Sequence, residues 1–169
     1  MAENNIIDRI LANENISPNI LMRCNFNYQN EYGFTIPMAI LSIQKEIPLQ
    51  FEKFIDVNIT NCENMNLPMI YMSNHNKLFP LWMLNNLNFK HKDIAKFNIL
   101  MSCVVFCKIE PPSYMVKDFN VNDQTCKGDT LASLYYKTTN KYPPNWMLNG
   151  LNLNLYDDNG YTMKQILNL

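Results

Sequence analysis

Glycine and histidine are scarce in these 169 residues: four of the first and two of the second. Four scattered glycines leave no Gly-rich loop to cradle a phosphate. His75 and His91 are the only two, too few for a histidine-built metal site without two further ligands nearby. Charge is also sparse, at 17% of residues with a formal net charge of −1, and Lys and Arg do not cluster. A nucleic-acid groove or an anionic membrane surface therefore has little electrostatic support, and neither partner is expected. The most apolar stretch, Ile99 to Phe106, is interrupted by Ser102 and far too short to span a bilayer. The N-terminus, MAENNIIDRI, lacks the basic start and apolar segment of a secretory signal. Cys24, Cys62, Cys103, Cys107 and Cys126 are odd in number and carry no CxxC spacing, which points to reduced thiols and a cytoplasmic setting.

What the chain has is asparagine, 27 residues of it, alongside many Ile, Lys and Met. That bias reads as the codon usage of an AT-rich genome. It also has a period. Stepping back 32 residues from Gly160 reaches Gly128, Lys96 and Asn64, and a step of 31 reaches Gly33. Two places after each stand Thr35, Asn66, Asn98, Thr130 and Thr162, all residues whose side-chain oxygen can cap a helix N-terminus. Six places before each stand Asn27, Asn58, Lys90, Asn122 and Asn154, preceded in turn by an apolar residue and by Asn or Asp. Pro48, Pro80, Pro112 and Pro144 recur at the same interval, and Pro18 stands thirty before the first; each is suited to the first turn of a second helix. Each unit is expected to hold a capped helix (Thr35 to about Glu46 in the clearest copy), a Pro-started second helix (Pro48 to about Ile55) and an extended return. Neither helix could bury its apolar face alone, but stacked neighbours could.

Gly33/Thr35, Asp56-Val57-Asn58, Asp93, Gly128/Thr130, Gly150, and Asp157 with Gly160/Thr162 together resemble the ankyrin repeat. The resemblance spans nearly the whole chain and rests on combined register, since no single copy is a strong match. It implies an all-α solenoid of about five helix-turn-helix repeats with short β-hairpin-like loops. Residues 1–169 would form one domain, with units near 4–32, 33–63, 64–95, 96–127 and 128–159 and a half-unit 160–169. The departures are specific. The family's Thr-Pro-Leu-His is never complete; its His position holds Met38, Met69, Met101, Ser133 and Gln165, which suggests a more apolar seam. The Gly between the two helices is missing, each unit is about one residue short, and the chain ends after a single helix (Tyr161 to about Asn168) with no evident polar cap.

Catalytic and metal readings fare poorly. Cys103 and Cys107 share a helix face, but Cys103 aligns with Ile40, Tyr71 and Tyr135 and reads as core. A Cys107/His75 pair would sit one repeat apart, roughly 10 Å, well beyond the roughly 3 Å that proton transfer needs. The expectation is a non-enzyme without cofactor or metal.

The site expected to matter lies one residue after each step position, at Phe34, Met65, Phe97, Asp129 and Tyr161. By the resemblance this column lies on the concave side beside the hairpin tips, facing solvent, where four large apolar residues would be anchors for a partner protein. Tyr32 flanks it, and Val105 and Phe106 extend it. The alternative is that these side chains fold sideways onto adjacent repeats. A second row, Trp82, Tyr114 and Trp146, recurs on the second helix and is expected mainly to pack in the core. The function implied is protein–protein recognition, as an adaptor or as a secreted effector acting in a host cell. The rivals are a targeting appendage of an enzyme lying outside the chain and a structural protein that self-associates through its uncapped last helix.

Overall fold

The computed structural model describes residues 3–116 and 119–169, and among them the fold is all-α with no β-strand. The helices are α1 (Glu3–Leu11), α2 (Pro18–Leu21), α3 (Ile36–Ser42), α4 (Leu67–His75), α5 (Ile99–Ser102), α6 (Leu131–Thr139), α7 (Asn145–Leu148) and α8 (Met163–Ile166). A π-helical turn, Cys103–Cys107, continues α5, and 3-10 turns occupy Leu49–Phe54, Leu81–Leu84 and Ser113–Met115. The chain divides into two compact units, Met1–Asn88 and Phe89–Leu169.

All five expected caps form. The side chains of Thr35 and Asn66 accept the N–H groups of Met38 and Met69, and Asn98 accepts those of Leu100 and Met101. Thr130 and Thr162 go further: their N3 residues, Ser133 and Gln165, return a bond to the cap backbone, closing a capping box. Just before each cap the chain makes the same tight turn. Asn30, Asn61, Asp93, Thr125 and Asp157 each accept, through a side-chain oxygen, the N–H four residues on, at 2.8–3.2 Å. The step residues Gly33, Asn64, Lys96, Gly128 and Gly160 all have φ between 57° and 81°. At Gly128 the demand is also steric, because a Cβ there would lie 2.5 Å from the Tyr156 carbonyl oxygen. The turns carry isolated bridges, Thr60–Asn66 and Tyr156–Thr162, rather than hairpin strands.

In the first unit α3 packs against both α1 and α4. Ile6, Ile7, Met38, Leu41, Met69 and Met72 are almost fully enclosed, and Phe51 and Met83 from the 3-10 turns are buried as well. Burial of each such side chain is worth about 1.5–3 kcal/mol. Asparagine amides span the rest of the distance. Asn27 donates to the Phe54 carbonyl and accepts from Asp56 N–H; Asn58 donates to the Asn86 carbonyl and accepts from Asn88 N–H. The turns are linked too, since Gln29 Nε2 donates to both Gly33 O (2.9 Å) and Thr60 O (2.6 Å), and Cys62 N–H reaches Tyr32 O.

The second unit repeats these devices. α6 packs on α5, on the π-helical turn and on α7, with Met101, Cys103, Val104, Met115, Leu131 and Met147 enclosed. Asn122 donates to Gly150 O and accepts from Asn152 N–H, at 3.0 and 2.6 Å. Gln124 Nε2 bridges Gly128 O and Tyr156 O as Gln29 bridges its pair. At Asn27, Asn58 and Asn122 the recurrent asparagine therefore has a mechanical role, as a bridge between backbone segments.

Two expectations need correction. The helices are shorter than the periodicity suggests: α3 ends at Ser42 rather than near Glu46, and α8 spans Met163–Ile166 rather than reaching Asn168. The stop is a left-handed residue close behind the first helix, at Gln44, Asn76, Lys108 and Asn140, all with φ of 53–58°. The turn after the first helix is thus made by non-glycine residues that recur at a 32-residue spacing. The second correction concerns the aromatic row. Phe51, Met83, Met115 and Met147 occupy the enclosed register, while Tyr114 is exposed and Trp82 and Trp146 only half-buried. The 3-10 winding of Leu81–Leu84 and Ser113–Met115 and the short α7 point the neighbouring residue inward, and the flexible thioether fills that slot.

Candidate functional site

The turns that close on Asn30, Asn61, Asp93, Thr125 and Asp157 fix where the expected binding residues stand. Each column residue donates its N–H to the turn oxygen and returns its carbonyl to the turn N–H. Its side chain is thereby held beside the tip.

In the first unit Tyr32 is the residue at the apex of its turn, and it is 60% exposed. Phe34 and Met65 are half-buried. In the second unit Tyr161 is 57% exposed, Phe97 is half-buried, and Phe106 is half-buried within the π-helical turn. The six residues thus divide into two exposed tyrosines and four partly covered apolar side chains. Further rings and chains at the tips are exposed, namely Ile94 and Tyr156.

Asp129, the charged member of the column, marks an arrangement that apolar patterning overlooks. Lys137 on α6 reaches two carboxylates, Asp129 at 2.7 Å and Asp157 at 3.2 Å. Ser133 Oγ also donates to Asp129, and Asp157 Oδ1 accepts the N–H groups of Asn159 and Tyr161. Burial works against the Lys137 charge, but the two carboxylates more than offset it and hold its pKa above the ordinary lysine value. Burial likewise opposes ionisation of Asp157; the Tyr161 N–H and the Lys137 ammonium outweigh it and keep that carboxyl below its usual range. Beside this triad lies a cleft of about 410 Å³ walled by Tyr136, Asn140, Tyr161, Gln165 and Ile166. The sequence signal was available: an acid interrupting an apolar column, with a lysine two helical turns on.

Elsewhere the structure offers little chemistry. Cys103 is fully enclosed, and its thiol is pushed up by its hydrogen bond to Cys107 and by burial, with Cys107 moved down by the same bond. His75 stacks on Tyr71 with ring centroids 4.5 Å apart. In the same unit Glu46 accepts from Tyr71 and Lys77; the Lys77 bond leads in holding its carboxyl below the ordinary value. No group of three metal-ligating residues converges among the described residues. No described helix is long and apolar enough to cross a membrane. Leu167, the C-cap residue just after α8, is buried.

No protein-family model and no curated protein matches the chain. Among solved structures, it is similar to a chain in the complex of the Bd0816 predatory endopeptidase from Bdellovibrio bacteriovorus with immunity protein Bd3460. The two share a fold. The TM-score is 0.63 at 12% identity, over 99% of this chain and 92% of that one.

Proposed function

We propose that this chain is a divergent ankyrin-like repeat array that binds another protein through the turn tips of each unit, and that it does so without catalysis. The observation that carries the reading is the pair of exposed tip tyrosines, Tyr32 and Tyr161, each locked in place by a turn whose backbone bonds are satisfied. Rigid, amphipathic rings lose little entropy on docking and are favoured as interface anchors. In the first unit the half-buried Phe34 and Met65, and in the second the half-buried Phe97 and Phe106, would add apolar contact within their own unit. Support for the repeat reading comes from the five caps, five left-handed step residues and three asparagine bridges held in one register. The structural neighbour's own complex, an endopeptidase with an immunity protein, makes a protein partner the natural class. Within that class the proposed role is that of an adaptor or effector acting in a cytoplasm.

The test is affinity capture with the wild type and with Tyr32→Ser and Tyr161→Ser, both conservative of the fold because the rings are exposed. A partner retained by the wild type and lost by at least one variant is expected. Identical capture by all three forms would reject the tip edge as the binding face.

A further inference from the structure

Asparagine is followed by glycine twice in the chain, at Asn149-Gly150 and Asn159-Gly160, and both pairs lie in the second unit. Such a pair is open to attack on itself, because no Cβ shields the glycine nitrogen from the amide carbon of the asparagine. All four residues are exposed, so exposure does not separate the two pairs. Hydrogen bonding does. Gly160 N–H donates to Asp157 O at 3.0 Å and Asn159 Nδ2 donates to Asp158 Oδ1 at 3.2 Å, so nucleophile and leaving amide are both held. Gly150 N–H and the Asn149 side chain have no partner among the described residues. The space is open too, since a Cβ on Gly150 would meet only the Val121 side chain, at 3.9 Å. The backbone sets one condition. Asn149 at φ −66° and ψ 113°, followed by Gly150 at φ 80°, makes a type II turn closed by Leu151 N–H on Leu148 O at 3.0 Å. At that ψ the Gly150 nitrogen lies on the far side of the main chain from the Asn149 Cβ, so attack requires rotation about ψ. That rotation carries the Gly150 carbonyl with it, and this carbonyl is the one Asn122 Nδ2 holds at 3.0 Å.

We propose that Asn149 is a self-modification site, converted by Gly150 N and then water to aspartate or isoaspartate, and that the Asn122 bridge gates the reaction. The bond from Gly150 N to Asn149 Cγ forms as Cγ–Nδ2 breaks, and the glycine proton leaves with Nδ2 as ammonia. Water then opens the succinimide ring at either carbonyl, and nothing is oxidised or reduced. Attack at Cγ gives aspartate. Attack at the main-chain carbon gives isoaspartate, whose backbone runs through the side chain and is one methylene longer. The longer backbone no longer fits the turn between Leu148 and Leu151, so the bond from Asn122 to Gly150 O is lost. A local opening of the turn thereby becomes an irreversible loosening of the same bridge. The proposal is independent of the protein-binding reading.

The full chain is aged in mildly alkaline buffer, folded or in urea, then digested, and its peptides are separated and weighed by mass spectrometry. In urea each pair reacts at the rate its own sequence sets, and the folded rates are read relative to these. In the folded chain Asn149 should then react about tenfold faster than Asn159, the effect of the two hydrogen bonds that hold the second pair. Asn122→Ala should speed Asn149 about fivefold further, the effect of one bond removed from the gate, and leave Asn159 unchanged. Asn149→Gln, whose longer side chain would have to close a larger ring, should abolish the reaction at this position. Equal relative rates at the two pairs, a faster Asn159, or no conversion of folded Asn149 while the chain in urea converts would overturn the site. An Asn149 rate indifferent to Asn122→Ala, or a rise at both pairs alike, would overturn the gate.

Discussion

Replacing Asn122 by alanine removes two bonds at once: the donation to Gly150 O and the acceptance from Asn152 N–H. A net hydrogen bond is worth about 0.5–1.5 kcal/mol, and the freed backbone groups lie where water can reach them, so the loss should be about 1–2 kcal/mol. For a chain of this size that corresponds to a fall of about 2–8 °C in Tm. Asn154 supplies the control. It stands at the same register, but its side chain bridges nothing among the described residues, only its N–H being held by Asn152. Asn154→Ala should therefore cost no more than about 0.5 kcal/mol, the scale of an ordinary surface change. Urea unfolding followed by Trp146 fluorescence in a Trp82→Phe background reads the second unit alone, since the chain has only these two tryptophans. Equal midpoints for Asn122→Ala and Asn154→Ala would refute the claim that the recurrent asparagine is a structural bridge.

Gly128→Ala should destabilise by about 2 kcal/mol or more, because left-handed strain adds to a collision with the Tyr156 carbonyl; Gly160→Ala, with the same backbone but open space, should cost about 1 kcal/mol. Thermal melts of the two variants rank them. Met83→Ala should cost about 2–5 kcal/mol by leaving a cavity, and Trp82→Ala distinctly less despite its larger ring; the reverse order in urea midpoints would mean the inward register has been misassigned. Acid should act through Asp157. Its folded pKa lies below the unfolded value, so its contribution is present above the ordinary carboxylate range and is lost as pH falls through the depressed folded value. Lys137 does the opposite at the alkaline end, its contribution fading as pH rises through its elevated folded value. The acid limb of stability against pH should flatten in Asp157→Asn, and an unchanged limb would remove the triad from the account.

The first-helix starts were legible because a cap is a local device: Thr35, Asn66, Asn98, Thr130 and Thr162 need only the N–H groups two or three residues on. Helix ends were not, because Gln44 and Lys108 adopt a left-handed conformation that their side chains do not advertise. The second helices were misjudged for a related reason. A three- to six-residue segment can wind as α or 3-10, and one residue of phase exchanges Trp82 for Met83 at the enclosed place. Asn58 and Asn122 were visible as a pattern, but a bridge to a backbone some thirty residues away has no local signature. At the candidate site the aromatic positions could be named from register alone. Lys137 left a signal that apolar patterning passes over, the acid at Asp129 eight residues before it, whereas Tyr136 left none, because the cleft it lines exists only once α6 and α8 are placed.

The central claim is that the tip edge meets a protein partner, and site-specific photo-crosslinking tests it most directly. A photoreactive phenylalanine analogue is placed in turn at Tyr32 and Tyr161 on the tips, and at Leu49 and Leu81, which are exposed on the 3-10 turns. The account predicts that the two tip positions capture one and the same protein and that the Leu49 and Leu81 positions do not. Crosslinks from Leu49 and Leu81 with none from Tyr32 and Tyr161 would contradict it.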